Sequence, residues 1–260
     1  VIESGPRPTV LVLGGFLTLP PLYRRMAARL GERGAAEVVV APIWTPDWLL
    51  AAVLGVGRVL GRAEAWLDRA VAVSRAASGG SPVLIVGHSA GGLLARLLTS
   101  PRPYAGRTLD RRADIGAIVT LGTPHLVAGS GLIAGRIGQL AATFANEEVP
   151  GARFSPQVAY VAVGAGGIVG RGRGFGRGRL AEPFYRRLHP APAAAPIEGD
   201  GLVPLACTEL PGARRVVLHD IVHGQLAGRA WYGSAEAVDA WWPVALEAWR
   251  GALAARDGGA

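Results

Sequence analysis

A chain of 260 residues, half of them apolar and 18% charged, suffices for one large folded domain or at most two small ones, and it contains no long disordered or fibrous tract. Cys207 is the single cysteine, which excludes disulfide staples within the chain, and the longest apolar stretch, Trp48 to Leu60, is broken by Gly55, Gly57 and Arg58 and is too short to span a bilayer. The net charge of +8 arises with arginine as the only basic residue besides histidine; alongside abundant Ala, Gly and Pro it reads as compositional bias rather than a nucleic-acid footprint, although a positive surface suits anionic membranes or anionic substrates.

The sequence starts at Val1 and shows no signal peptide with a basic start and an apolar middle, so an upstream segment removed or left out is the expectation. Strand and helix signals then alternate along the whole chain. Thr9–Leu13 is a β-rich run ending at Gly14-Gly15, and Leu22, Met26 and Leu30 mark a helix over Leu22–Leu30. Val38–Ala41 is the next strand, followed by an amphipathic helix over Arg62–Ala77 whose apolar face holds Ala63, Trp66, Leu67, Ala70, Val71 and Val73. Strand Pro82–Val86 leads directly into helix Ala90–Leu98. Beyond an arginine-rich loop come strands Ile115–Leu121, Val158–Val163 and Arg215–Leu218, and a closing helix over about Ala235–Leu253 offers Val238, Trp241, Trp242, Leu246 and Trp249 for burial. Six strands linked by helices predict an α/β fold, a parallel sheet with helices on both faces.

Two stretches interrupt this alternation inside what reads as a single domain. Residues 126–156 include a helix signal at Leu132–Asn146, and residues 164–199 contain Gly164–Arg179, where glycine and arginine nearly alternate, before a Pro/Ala-rich run. Insertions this long are lids or binding loops. The Arg/Gly run resembles RNA-binding segments, but Phe175 is its only aromatic residue, so a mobile surface loop is expected and nucleic acid is not.

The segment that carries chemistry is Val83-Leu84-Ile85-Val86-Gly87-His88-Ser89-Ala90-Gly91-Gly92, a buried-strand pattern running through Gly-His-Ser-Ala-Gly into a helix. This is the context of a nucleophile elbow, in which a strained turn lifts a serine hydroxyl above the sheet and glycines keep side chains out of the narrow space between strand and helix. The alternative is a glycine-rich turn whose serine merely caps the helix. A serine nucleophile needs a base oriented by a carboxylate, and in this kind of fold they follow in the order Ser, Asp/Glu, His. His223 lies just beyond the last strand and is the expected base, ahead of His219, which sits on the strand or its edge. His88, His125 and His189 are excluded by direction or order. Asp200, in Gly199-Asp200-Gly201, is the expected acid, with Glu198 second and Asp220 too near His223 in sequence; alone, Gly-Asp-Gly would read as an ordinary turn. The oxyanion hole is expected from the backbone N–H groups of Ala90 and Phe16, the latter in the loop Gly14-Gly15-Phe16-Leu17, which lacks the spacing of a nucleotide-binding turn. Cys207 has no glycine elbow and reads as a small core residue.

Taken together, Gly14-Gly15-Phe16, Gly87-His88-Ser89-Ala90-Gly91-Gly92, Leu121-Gly122-Thr123-Pro124-His125, Gly199-Asp200-Gly201-Leu202-Val203-Pro204 and Val222-His223-Gly224 resemble the successive blocks of α/β-hydrolase-fold lipases and esterases, over nearly the whole chain. The C-terminal block Trp231-Tyr232-Gly233-Ser234, with Val238 and Trp241-Trp242-Pro243, is most similar to the lipase-like hydrolases of plants, algae and cyanobacteria. One departure is Gly14, where lipases commonly have a histidine whose side chain supports the oxyanion loop. The resemblance implies a minimal six-stranded α/β-hydrolase fold with lid-like insertions, cleaving carboxylic esters, lipid acyl esters above all, without metal or organic cofactor. It also implies a plastid or bacterial cytoplasmic location rather than secretion. Peripheral contact with an anionic membrane fits the arginine content. Acyl transfer, thioester cleavage, or a catalytically silent binding protein on the same fold remain open at this level.

Overall fold

The computed structural model describes residues 5–16, 18–127, 133–170, 176–189 and 195–258. Its strands are β1 (Thr9–Leu13), β2 (Glu37–Val40), β3 (Val83–His88), β4 (Ile115–Leu121), β5 (Ala159–Gly166), β6 (Ile168–Gly170), β7 (Ile197–Gly199) and β8 (Arg214–His219). Its helices are α1 (Arg24–Glu32), α2 (Thr45–Leu54), α3 (Gly57–Ala77), α4 (Ala90–Leu97), α5 (Ile133–Glu148), α6 (Arg177–Leu188) and α7 (Ala235–Asp257). Every residue of β1, β3 and β4 is buried, as uninterrupted apolar strands covered on both faces must be.

Six strands form one parallel sheet in the order β2-β1-β3-β4-β5-β8. Alternation along each strand sends side chains into two cores. Leu11, Leu13, Val83, Ile85 and Ile118 meet residues of α2, α3, α4 and α5 on one face. Val10, Val12, Leu84, Val86 and Val119 meet α1 and α7 on the other. Three tryptophans of α7 are almost fully buried, and each indole N–H is used: Trp241 donates to the Tyr232 carbonyl, Trp242 to Arg33 and Trp249 to Pro82, at 3.0, 2.8 and 2.8 Å.

The expected strands, the elbow helix and the closing helix all form, with ends displaced by a few residues. Two regions carry elements that were not anticipated. α2 starts at Thr45-Pro46-Asp47, where the Asp47 carboxylate accepts the Trp44 N–H at 2.9 Å, which stabilises a helix start that its apolar composition concealed. The stretch 164–199, expected as a lid or binding-loop insertion with Gly164–Arg179 as a surface loop, is partly folded: β6 and β7 pair antiparallel, and α6 buries Ala181 and Tyr185 against them. The glycine-arginine alternation hid this because the ordering contacts, Tyr185 to Ile168 and Ile197, are spread across the segment; residues 171–175 lie outside the described residues. The helix expected at Leu132–Asn146 is α5, with Leu132 itself outside the described residues.

α5 is fastened to α4 by an unusual device. Arg96 is fully buried in α4, and its guanidinium donates to the carbonyls of Ala145 and Val149, both at 2.9 Å, where α5 ends. A cation at the carbonyl end of a helix is favourable, and burial lowers the Arg96 pKa only to about 10, so the charge persists at neutral pH.

Candidate active site

Because the large sheet is parallel, all its strands end at one edge; the turns after β1, β3 and β8 that carry Phe16, Ser89 and His223 leave from that edge, whereas Asp200 follows β7 of the two-stranded sheet. Ser89 follows β3 with φ 53° and ψ −127°, a backbone conformation disfavoured for any residue with a side chain. Three contacts enforce it: the Ser89 N–H donates to Leu121 O at 2.8 Å, and Ser89 O accepts from the Gly92 N–H at 3.1 Å and from Thr123 Oγ1 at 2.9 Å. The side chain makes no cap hydrogen bond to α4, so helix capping does not account for this serine.

The glycines around it are sterically obligatory. A Cβ on Gly87 would lie 2.5 Å from Gly92 Cα, and one on Gly92 would lie 2.0 Å from Thr123 Oγ1. For Gly91 the obstacle is the Leu13 carbonyl oxygen at 2.1 Å, not β3, because α4 starts against the end of the adjacent strand β1.

The turn after β1 lies directly on the serine: a Cβ on Gly15 would come 2.5 Å from Ser89 Cβ and 2.8 Å from His88 O. Thr18 closes this turn by donating its hydroxyl to Gly15 O at 2.7 Å. At Gly14 a Cβ would meet Thr18 Oγ1 at 2.8 Å and the Tyr23 hydroxyl at 3.2 Å. The histidine that the resemblance leads one to expect there has no room, and Thr18 and Tyr23 occupy its place. Ala90 is the first residue of α4, so its N–H lacks an acceptor one turn back. Phe16 packs its ring edge-on against Trp48 of α2, centroids 6.4 Å apart.

Asp200 and His223 are in direct contact. His223 Nδ1 lies 2.7 Å from Asp200 Oδ2, and the His223 N–H donates to the Asp200 carbonyl at 2.9 Å. The carboxylate is 1% exposed and collects three further donors: the Leu202 and Val203 N–H groups on Oδ1 at 3.0 and 2.8 Å, and the Tyr232 hydroxyl on Oδ2 at 2.9 Å. Burial pushes its pKa up, but the His223 charge and these hydrogen bonds outweigh burial and leave it below the usual carboxylate value. Gly-Asp-Gly is therefore both a side-chain-closed turn and the partner of a histidine. Gly201 has φ 97°, and a Cβ on Gly199 would strike Val203 O at 2.2 Å. His223 Nε2 is buried without a hydrogen-bond partner among the described residues, so it is not bonded to the Ser89 hydroxyl in this structure.

The competing candidates are placed elsewhere. His219 ends β8 and is exposed; Glu198, also exposed, accepts the Gly167 N–H at 2.7 Å; Asp220 is exposed beside Gly167. His125 is buried between Arg96 and Thr120, 3.2 Å from each, and burial holds it neutral. Cys207 is fully buried with its pKa pushed up to about 12, so it remains a thiol. Sequence reasoning missed Thr123, Tyr232, Tyr23 and the part played by His88. For Thr123 the signal was available in Leu121-Gly122-Thr123-Pro124-His125, which follows a buried strand.

Neither a protein-family profile nor a curated protein sequence matches this chain. Solved structures do. A soluble variant of monoglyceride lipase from Saccharomyces cerevisiae, in complex with a substrate analogue, aligns over 85% of this chain and 80% of its own, with TM-score 0.54 and 11% identity. The fold is the α/β-hydrolase fold. Est1E from Butyrivibrio proteoclasticus aligns over 97% of this chain and 89% of its own at 14% identity, with TM-score 0.48. Tomato methylketone synthase I complexed with 2-tridecanone aligns over 53% of this chain, 12% identical, with TM-score 0.34, and the match spans only 47% of that protein. At these identities the likeness establishes architecture. In this fold the strand-to-helix turn at Ser89 joins β3 to α4, and Asp200 and His223 come later in the chain.

Proposed function

We propose that this chain is a serine hydrolase of carboxylic esters. The observation that carries the reading is a buried Asp200–His223 pair whose outer nitrogen has no partner, belonging to the same edge as a strained, uncapped serine. An unpartnered buried nitrogen is costly unless reserved for a proton it will accept. His223 takes the Ser89 proton as Oγ attacks the acyl carbonyl; the Ala90 and Phe16 N–H groups hold the resulting oxyanion. His223 then protonates the departing alcohol, leaving an acyl-serine. Water, deprotonated by His223, attacks this ester, and collapse releases the acid while His223 returns the proton to the departing Ser89 Oγ. Asp200 keeps the His223 proton on Nδ1 throughout.

Lipid acyl esters are the proposed substrates, and the surface of α2 supports this. Trp44, Leu49, Leu50, Val53 and Leu54 are exposed on and beside α2, while Trp48 beneath them packs on Phe16. An apolar surface thus lies one ring away from the proposed oxyanion turn. Exposed Arg24, Arg25, Arg58, Arg177, Arg187 and Arg229 and a net charge of +8 fit contact with an anionic lipid layer, and no helix among the described residues is long and apolar enough to cross one. The plant, algal and cyanobacterial likeness and the associated plastid or bacterial cytoplasmic location rest on the sequence blocks alone.

The test is fluorophosphonate labelling with peptide mapping, then p-nitrophenyl esters of increasing chain length beside a galactolipid and a phospholipid. Stoichiometric label on Ser89, lost with hydrolysis in Ser89→Ala, is the expected result. Label elsewhere, or hydrolysis undiminished in Ser89→Ala, refutes the assignment.

A further inference from the structure

His88 is 1% exposed and lies among rings, its centroid 4.9 Å from His223, 5.7 Å from Trp231, 5.8 Å from Tyr23 and 6.1 Å from Tyr232. The mechanism above gives it no proton to carry. Burial and the neighbouring His223 charge lower its pKa to about 3, so it stays neutral. An imidazole in such surroundings is tolerated only when both nitrogens are satisfied, and both are. Nε2 lies 2.7 Å from the His223 carbonyl oxygen, which can only accept, so Nε2 bears the proton. Nδ1 is then an acceptor, and it accepts a hydrogen bond from the Tyr23 hydroxyl at 2.8 Å. Tyr23 in turn ends the 3-10 turn Pro20–Tyr23 and fills the space beside Gly14, one residue from the turn that lies on Ser89. Trp231, which packs edge-on against both His88 and Tyr23, bridges to Val222, the residue before His223.

We propose that His88 is a positioning residue, a hydrogen-bonded strut that holds the main chain of His223 at a fixed separation from the Tyr23-braced turn carrying Phe16. This rests on the serine-hydrolase reading of Ser89 and His223. The residue preceding the nucleophile in sequence thereby joins the base and oxyanion segments, which reach the site from opposite ends of the chain. The tautomer is essential to the strut: without the Tyr23 donor, a proton moved to Nδ1 would set the Nε2 lone pair against the His223 carbonyl.

The test compares Tyr23→Phe, His88→Leu and His88→Gln with the wild type by steady-state hydrolysis of p-nitrophenyl butyrate, thermal unfolding, and fluorophosphonate titration of active sites. Tyr23→Phe removes one oxygen. It is expected to keep KM and the unfolding midpoint and to lose roughly three- to tenfold in kcat per titrated site, the scale of one net hydrogen bond. His88→Leu should lose more. His88→Gln, whose terminal N–H can reach the same carbonyl, should recover most of that loss. Unchanged kcat per titrated site in both Tyr23→Phe and His88→Leu overturns the strut, as do losses that appear only as fewer titratable sites, which a purely structural role predicts. A wild-type protein that reacts with no fluorophosphonate overturns the hydrolase reading itself, whereas a labelled wild type with unaffected variants overturns the strut alone.

Discussion

Asp200→Asn is the sharpest perturbation of the proposed triad because the structure dictates how the amide must sit. Oδ1 accepts two backbone N–H groups, from Leu202 and Val203, that cannot turn away. The asparagine oxygen must take that position, since placing the NH2 group there would set donors against donors. The NH2 group is then directed at His223 Nδ1, 2.7 Å away in the wild type, and at the Tyr232 hydroxyl. A donor facing Nδ1 forces the His223 proton onto Nε2, the nitrogen required to receive the Ser89 proton. The fold should survive, because the turn keeps its two backbone hydrogen bonds, while kcat should fall by about four orders of magnitude, or roughly 5.5 kcal/mol of transition-state stabilisation. Turnover of p-nitrophenyl butyrate alongside thermal unfolding measures both. Tyr232→Phe is the control: it removes one donor from Oδ2 without touching the tautomer, and the expected loss is at most about tenfold. Asp200→Asn turning over within tenfold of the wild type would remove Asp200 from the mechanism.

His223→Ala should be nearly as damaging as Ser89→Ala, the double variant hardly worse than either, and His219→Ala close to wild type; a dead His219→Ala assigns the base to the other histidine. Gly15→Ala must displace the turn lying on Ser89, since its Cβ would fall 2.5 Å from Ser89 Cβ, and a kcat loss on the order of 100-fold is expected from a misplaced oxyanion donor. Stability should fall with acidification well before the carboxylates titrate. His88 and His125 have folded pKa values lowered by burial, that of His88 to about 3, so the unfolded chain binds protons from about pH 6.5 downward while the folded chain does not. Two such histidines lower the unfolding free energy by roughly 2–3 kcal/mol between pH 7 and 5.5. The lowered pKa of Asp200 acts with the same sign, but only below its ordinary range near 3.8. Urea unfolding at the two pH values checks this, and an unfolding free energy independent of pH contradicts it.

The sheet was legible because its physics is local. An uncharged, short run such as Ile115–Leu121, with its β-branched residues, suits a strand covered on both faces, and the helix signals between runs fix the parallel connections. Gly87, Gly91 and Gly92 were legible for a related reason: the turn has no space for side chains, and this constraint leaves glycine in the sequence. α6 was illegible because its order depends on Tyr185 reaching Ile168 and Ile197, contacts with no periodic signature in an arginine- and glycine-rich stretch. α2 announced its start through Pro46 and Asp47, but its outward face carries the leucines and valine of a buried element, so hydropathy read it as one broken apolar run.

At the site the division is between order along the chain and convergence in space. Ser89 stands just beyond β3 and His223 shortly beyond β8, relations written in the sequence itself. Asp200 follows β7, a strand the sequence did not announce, and was marked only by its glycines and its place between Ser89 and His223. Tyr23, Thr123 and Tyr232 bear no such mark, because each acts on a group that only folding brings to it: Tyr23 on His88, Thr123 on the Ser89 carbonyl, Tyr232 on Asp200. His88 shows the difference most clearly. Its direction, read from its place beside Ser89, set it aside as the base, and its two nitrogens face Tyr23 and the His223 main chain. The same direction carries its ring into the His223 main chain, 135 residues away. Gly14 carries the argument one step further. Read alone, a missing histidine counts as lost support for the proposed oxyanion turn, yet a Cβ at Gly14 would collide with Thr18 and Tyr23. Thr18 and Tyr23 fill the space beside Gly14, so a departure from a familiar motif is read correctly only together with the residues that occupy the vacated space.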